Sequence, residues 1–142
     1  MILEMQPCVP QETARQLSPL TLAYIGDGVH TLLTRASYLD QKLKVNDLHR
    51  LCTDEINAHA QCRALARIQV FLTEEEKEMV RRGRNAHPHH NAPHSASVQE
   101  YSAATALETL YGYLFITGQG ERLEKLFSLG RESRTEPCPE HN

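Results

Sequence analysis

The sequence predicts an all-α fold. Apolar residues recur at three- and four-residue spacing along most of the chain, which is the period of an amphipathic helix. Capping residues precede several of these stretches, and no stretch shows the sustained alternation expected of strands. The chain has 142 residues, of which 40% are hydrophobic. This length allows one domain with a core, and a second domain has no room.

The first predicted helix covers about 19–39. Ser18 can cap it, and Pro19 is favoured at the first helical position. Leu22, Val29 and other apolar residues follow at helical spacing. The residues before this helix, about 1–16, are predicted to form an N-terminal tail.

A second helical stretch, with room for a break, is predicted from a cap at Asn46 to Phe71. Thr73 and Glu76 then form a capping box for a short helix with acids in its first turn and arginines in its last. Gly83 is expected to end that helix. Residues 85–97 are rich in proline and histidine, and they predict a mobile loop.

Ser97 with Glu100 forms another predicted capping box, at the start of a long helix that Gly118 and Gly120 are expected to end. The last predicted helix, ERLEKLFSL, stops at Gly130. Residues of about 131–142 are predicted to be a polar C-terminal tail.

Composition limits the function classes. The net charge of −3 gives no broad positive field, so any polyanionic partner must bind at a local patch. No apolar run is long enough for a membrane span, and no signal peptide is evident, so a soluble cytoplasmic protein is expected. The four cysteines form no C-x-x-C pair, which favours reduced thiols over disulfides or zinc.

Two acidic residues stand in stretches that otherwise look like core helices. Asp27 lies between Gly26 and Gly28, and Glu108 lies beside an apolar stripe. Packing of their helices would bring the carboxylates to one place, where they could hold Mg²⁺. Gly26, Gly28 and Gly112 are expected to permit close approach. The alternative is that each acid pairs with an arginine or a helix N-terminus.

The clearest basic cluster is VRRGRN. Arg81, Arg82 and Arg84 lead into the predicted loop, as expected of an arm that grips phosphates. Complementing a helix C-terminus would explain Arg81 and Arg82 but not Arg84. The nearby HPHHNAPH could bind a transition metal, but without cysteine or acid ligands a solvated loop is favoured.

Four blocks together resemble a known family. LAYIGDGVHTLLTRASYL, VNDLH, EEEKEMVRRGRNA and VQEYSAATALETLYGYLF are similar, in order and spacing, to Mini-ribonuclease III, a small bacterial relative of ribonuclease III. The resemblance covers about residues 17–128. It implies an all-helical ribonuclease III domain, a helical bundle that works as a homodimer. It also implies cleavage of double-stranded RNA that leaves 5′-phosphate ends and depends on Mg²⁺, for which Mn²⁺ can substitute.

The resemblance also implies site residues and a substrate. Asp27 and Glu108 match the catalytic, metal-binding acids, and Tyr24 matches an aromatic residue that joins the subunits. Arg81, Arg82, Arg84 and Asn85 would bind RNA, since the chain has no room for a separate RNA-binding domain. The expected substrate is the large-subunit (23S) ribosomal RNA precursor, with an accessory ribosomal protein as an open question.

Two positions depart from full-length ribonuclease III. Ala23 and Thr105 stand where it has further acids, a loss that looks typical of the Mini-ribonuclease III branch. Whether Asp54 or Glu55 adds a ligand stays open. Two alternatives also stay open: a non-catalytic helical dimer that binds structured RNA as an assembly factor, and a metal carrier that uses the histidine loop.

Overall fold

The structure is a computed structural model that describes residues 4–86 and 97–131, and in these residues it holds α-helices and no strand. The all-α prediction is therefore confirmed. The helices are α1 Gln11–Gln16, α2 Pro19–Ala36, α3 Val45–Ile56, α4 Ala58–Ile68, α5 Glu74–Arg84, α6 Val98–Ile116 and α7 Gly120–Gly130. Helix α1 lies within the segment that the sequence predicts as tail. The histidine loop, Cys138 and nearly all of the polar C-terminal tail lie outside the described residues.

Helix α6 is the central element of the bundle. It is apolar on all sides, and almost every residue from Ala103 to Leu114 is buried. A helix of this kind must be surrounded by others. Helices α2, α4, α5 and α7 pack against it, and the core side chains of all four meet α6 residues such as Leu107 and Leu110.

Helices α2 and α6 cross with their backbones in contact. A Cβ placed on Gly26 would lie 1.7 Å from the carbonyl oxygen of Glu108, and one on Gly112 would lie 1.9 Å from that of Leu22. No side chain fits at either position, so the two glycines are required by the crossing. Gly28 differs, because no atom lies within 4 Å of the position that a Cβ would take there, and the residue is exposed.

Two of the predicted helix starts are confirmed. The Ser18 hydroxyl accepts hydrogen bonds from the backbone amides of Leu20 and Thr21, and Pro19 is the first residue of α2. Thr73 and Glu76 form a complete capping box at α5. At α6 the Ser97 hydroxyl accepts the Glu100 amide, but the Glu100 carboxylate contacts that same hydroxyl instead of the backbone.

Other boundaries differ from the prediction. Lys44, not Asn46, precedes α3, and the break falls at Asn57, whose side chain caps α4 by accepting the Ala60 amide. Gly83 does not end α5. It is buried within the helix, where a Cβ would lie 2.5 Å from the Thr109 hydroxyl oxygen, so this glycine serves packing.

Of the glycines predicted to end helices α6 and α7, some do so and one does not. Gly118 has φ +76° and ends the helix as predicted, because this left-handed conformation favours glycine. Gly120 instead begins α7, and Gly130 is its last residue. Among the described residues, none of the helices is long and apolar enough to cross a membrane.

The cysteines in the described residues are free thiols. Cys52 is buried and behaves as a small core residue, as predicted, whereas Cys8 is exposed and Cys62 is half-buried.

Candidate active site

Asp27 lies on the exposed side of α2. Leu22, Val29 and Leu33 form the buried side of this helix, and Asp27 projects away from them. The expectation that Asp27 is buried in a core helix is therefore wrong. Tyr24, one turn earlier, is 81% exposed. The exposed face of α2 thus carries an acid, an aromatic side chain and Gly28.

Glu108 lies opposite, at the half-buried edge of α6. Its Oε1 accepts a hydrogen bond of 3.0 Å from Nε2 of Gln61 on α4. Burial raises the pKa of Glu108 to about 7; the Gln61 bond lowers it and the negative charge of Asp27 raises it further. The α2–α6 crossing therefore brings Asp27 close enough for its charge to raise the pKa of Glu108.

The acid pair has no cationic partner in the part of the chain that the structure describes. Neither Asp27 nor Glu108 forms an ion pair with any described residue, so the alternative of a pairing arginine finds no support. Within residues 4–86 and 97–131, no three His, Cys, Asp or Glu side chains are grouped to hold a metal. Two carboxylates fit Mg²⁺, which binds few protein oxygens and keeps several waters.

The other acids considered from the sequence are engaged elsewhere. Glu55 forms an ion pair of 2.8 Å with Arg131 and accepts the Tyr38 hydroxyl. Asp54 lines a separate cavity that contains neither member of the acid pair. Thr105, at one of the two departing positions, donates its hydroxyl to the Tyr101 carbonyl. None of these groups adds a ligand beside Glu108.

A buried polar chain continues from Glu108 into the core. The Gln61 side chain is 3% exposed, and its Nε2 also lies 3.1 Å from Nδ1 of His30 on α2. Burial lowers the pKa of His30 to about 4, so the ring is neutral. Tyr111 and Phe127 hold it by edge contacts, with ring centroids 5.4 and 5.8 Å away.

Neither Gln61 nor His30 is expected from the sequence. One signal exists for Gln61, because it precedes Leu65 and Ile68 by four and seven residues and so shares their buried stripe. A polar residue on such a stripe needs a buried partner. His30 gives the same kind of signal, because it follows Gly26 by four residues and precedes Leu33 by three on the buried side of α2.

A cavity of about 330 Å³ lies one helical turn beyond the acids. His30, Tyr111 and Phe127 form its aromatic side, and residues of α3, α4 and the end of α7, about half of them charged, form the rest. His30 and Tyr111 each follow a member of the acid pair by three residues. The cavity and the acids are therefore neighbours that share two helices.

The arginines of α5 divide into engaged and exposed side chains. Arg82 donates to the carbonyl oxygens of Arg15 and Leu17, at 2.9 and 2.8 Å, and so ties α5 to the α1–α2 link. Arg81 forms an ion pair with Glu78. Arg84 and Asn85 are exposed at the end of the helix, and the Arg84 side chain has no partner among the described residues.

Comparisons with known proteins agree on one family. The ribonuclease III domain family matches residues 20–119. A Mini-ribonuclease 3 of Symbiobacterium thermophilum is 46% identical over 111 residues, covering 78% of this chain and 85% of that protein. One of a Thermoanaerobacter species is 41% identical over 128 residues, covering 89% of each.

A solved structure shares the fold. A crystal structure of a Fusobacterium nucleatum protein superposes with a TM-score of 0.75 at 31% identity, covering 80% of this chain and 93% of that one.

Proposed function

This chain belongs to the ribonuclease III family, in its Mini-ribonuclease III branch, and from that premise we propose that it trims the paired ends of the large-subunit (23S) ribosomal RNA precursor. Family membership makes it an endoribonuclease of double-stranded RNA. The observation that carries the proposed site is the pair Asp27 and Glu108, two carboxylates without a cationic partner among the described residues. Their mutual repulsion is relieved when a cation binds between them.

Asp27 and Glu108 are the proposed metal ligands, with Mg²⁺ as the ion and Mn²⁺ as a substitute. When bound, the ion activates water and stabilises negative charge on the phosphate and on the leaving 3′ oxygen. Asp27 is exposed, so a phosphodiester can approach it from solvent. Glu108 is held from the core side by Gln61. Water attacks phosphorus, the bond to the 3′ oxygen breaks, and the products are a 5′-phosphate and a 3′-hydroxyl.

The exposed face of α2 supports a homodimer. Leu20, Tyr24 and Leu32 are 38%, 81% and 57% exposed, which is unusual for large apolar side chains. They form a row at four-residue spacing that includes Gly28, where a second helix can approach closely. Asp27 borders this row, so dimerisation would bring two acid pairs to one duplex. Tyr24→Glu should give a monomer in sedimentation analysis.

RNA binding is assigned to the end of α5. Arg84 and Asn85 are exposed there, and Arg81 lies one turn earlier, where a phosphate would have to displace its two hydrogen bonds to Glu78. Arg82 contributes mainly by holding the α1–α2 link. Phosphate contacts by such side chains position a duplex without reading its sequence.

Cleavage of an end-labelled RNA duplex tests the site. The wild type, Asp27→Asn and the control Asp54→Asn are each assayed with Mg²⁺ and with EDTA. Cleavage by the wild type and the control with Mg²⁺ alone, and none by Asp27→Asn, is expected. Binding without cleavage in every lane would support the non-catalytic RNA-binding dimer instead.

The substrate is tested separately. A transcript with the paired ends of the 23S precursor competes with an unrelated duplex of equal length, and preferential cleavage at the mature ends is expected. Equal cleavage of both would refute the proposed substrate while leaving the nuclease intact. Addition of ribosomal proteins to the same assay reveals any accessory requirement.

A further inference from the structure

The Gln61 carboxamide joins Glu108 to the core by a shared donor. Its single nitrogen lies 3.0 Å from Oε1 of Glu108 and 3.1 Å from Nδ1 of His30. An amide nitrogen carries two hydrogens, so it can serve both acceptors at once. Helices α2, α4 and α6 each contribute one residue to this chain of hydrogen bonds. Gln61 and His30 are 3% and 5% exposed, so water does not compete for these contacts.

His30 determines which way the amide points. With Nδ1 unprotonated, the ring accepts from the Gln61 nitrogen, and its proton is carried on Nε2. A proton on Nδ1 would instead favour the flipped amide, which would place the carboxamide oxygen against the Glu108 carboxylate. The burial of His30 between Tyr111 and Phe127 favours the neutral ring and fixes its orientation.

Glu108 receives no other hydrogen bond from the described residues. Gln61 therefore selects the position of the carboxylate by holding Oε1, and it leaves Oε2 available. A carboxylate that binds a cation through one oxygen is oriented by a neutral donor on the other, and loss of such a donor typically weakens binding. Gln61 is neutral, so it orients Glu108 without neutralising the charge that a cation needs.

We propose that Gln61 is a positioning residue for Glu108, and that His30 acts through Gln61 by fixing the orientation of its amide. This inference rests on the proposed role of Glu108 as a metal ligand. It assigns function to two buried residues that do not touch the substrate. It also gives the neutral, buried His30 a reason to be a histidine, since an apolar residue there would leave the amide without its second acceptor.

The first test is Gln61→Met, which keeps the length of the side chain and removes the donor. Gln119→Met is the matched control, because Gln119 is a half-buried glutamine at the start of α7 that contacts Thr117. Binding of Mn²⁺ to the RNA-free protein is measured by electron paramagnetic resonance. We expect the dissociation constant to rise about tenfold in Gln61→Met and to stay unchanged in the control.

Kinetics give a second readout. In Gln61→Met the Mg²⁺ concentration for half-maximal cleavage should rise by about tenfold, and kcat at saturating Mg²⁺ should fall, while the KM for RNA stays as in the wild type. A role confined to folding would lower the melting temperature without moving the metal dependence. A folded Gln61→Met protein with wild-type metal binding would overturn the proposal.

A pair of His30 variants tests whether His30 orients the Gln61 amide. The pair also keeps the proposal testable if Gln61→Met does not fold. His30→Asn places an amide oxygen near the position of Nδ1 and keeps an acceptor, whereas His30→Leu removes it. Mn²⁺ binding should be largely retained in His30→Asn and weakened in His30→Leu. Equal binding by the two variants would refute the role of His30. If the wild type itself binds no Mn²⁺ and Asp27→Asn still cleaves, the proposed metal site fails, which is a different result.

Discussion

Two glutamates that are withdrawn from solvent, Glu76 fully and Glu108 in part, differ in their partners. Glu76 of α5 is 4% exposed, caps its own helix and forms an ion pair of 2.8 Å with Arg122 of α7. Glu108 of α6 receives one neutral donor and lies near a second acid. Burial raises the pKa of both carboxyls, but at Glu76 the Arg122 and Thr73 contacts outweigh burial and the pKa is lowered.

The comparison indicates which of the two carboxylates fits the proposed metal site. Glu76 is neutralised by Arg122 within the fold, so it stabilises the junction of α5 and α7 without any external cation. Glu108 lacks a counter-charge among the described residues, so its folded environment favours a cation from outside. The lack of a counter-charge, and not burial alone, is what makes Glu108 the candidate ligand.

The largest expected difference is in activity. Glu108→Gln should lower kcat by about 1,000-fold or more, because a metal ligand is lost, whereas Glu76→Gln should cleave like the wild type per folded molecule. Single-turnover cleavage at saturating Mg²⁺, with folded fractions from circular dichroism, measures both. Similar losses in the two variants would break the distinction.

The Glu108 region can also be disturbed without changing an acid. Gly26→Ala should lower the free energy of unfolding by more than about 3 kcal/mol, because its Cβ would overlap the Glu108 carbonyl and force the helices apart. Gly28→Ala is the matched control, with both changes made in the Tyr24→Glu background so that the proposed partner helix is absent. Open space surrounds Gly28 within the described chain, so this change should stabilise α2 by up to about 1 kcal/mol. Urea denaturation compares the two, and equal stabilities would contradict the close crossing.

Glu76→Gln should cost stability where Glu108→Gln does not. Loss of the carboxylate leaves the partly buried Arg122 unpaired, with an expected loss of about 2 kcal/mol in the free energy of unfolding. Urea denaturation at neutral pH in EDTA detects it. Glu74→Gln, an exposed neighbour in the same turn, is the control and should change stability little.

The pH dependence of stability should distinguish Glu108 from Glu76. The folded pKa of Glu108 lies above its ordinary value of 4.5, at about 7, chiefly because of burial. Its stabilising contribution is therefore complete below pH 4.5 and is lost as the pH rises through about 7. In EDTA, Glu108→Gln should gain about 1–3 kcal/mol relative to the wild type between about pH 5 and pH 8.

Glu76 should show the opposite trend. Its pKa is lowered, so its contribution is present above pH 4.5 and is lost at more acidic pH. Urea denaturation across the pH range measures both residues. A flat difference curve for Glu108→Gln would show that Glu108 is not destabilised in the charged form.

The smallest expected effect concerns two arginines of α5, one without a partner among the described residues and one with partners. Arg84 is exposed without a partner among the described residues, whereas Arg82 binds two carbonyl oxygens. Arg84→Ala should reduce the salt slope of RNA binding by about one unit and leave stability unchanged. Arg82→Ala should lower the melting temperature instead, and an unchanged salt slope in Arg84→Ala would place the RNA contacts elsewhere.

Local signals in the sequence predict local structure well. The Ser18–Pro19 start of α2 and the Thr73–Glu76 capping box involve neighbours in the chain, and both are confirmed. The prediction that Gly83 ends a helix is wrong because the role of this glycine depends on Thr109, which only the packed bundle brings near. The hydrogen bonds of Gln61 cannot be predicted for the same reason, because they join three helices.

The candidate site can be predicted from the sequence only in part. Family resemblance identifies Asp27 and Glu108, but the apolar character of the whole stretch suggests that Asp27 is buried. Its neighbours Val29 and Leu33 are indeed in the core, and Asp27 lies on the other side of the same helix. An amphipathic pattern over one helix does not specify how far its buried face extends, which is decided by the helices that pack against it.

The reciprocal contact of Gly26 and Gly112 has a consequence for mutational drift. Each glycine receives a backbone carbonyl of the other helix, so main-chain atoms alone set how near α2 and α6 lie at the acid pair. Substitutions among apolar side chains elsewhere in the bundle should then alter the separation of Asp27 from Glu108 less than a substitution at either glycine does. The spacing of the acids therefore depends most directly on two residues that have no side chain.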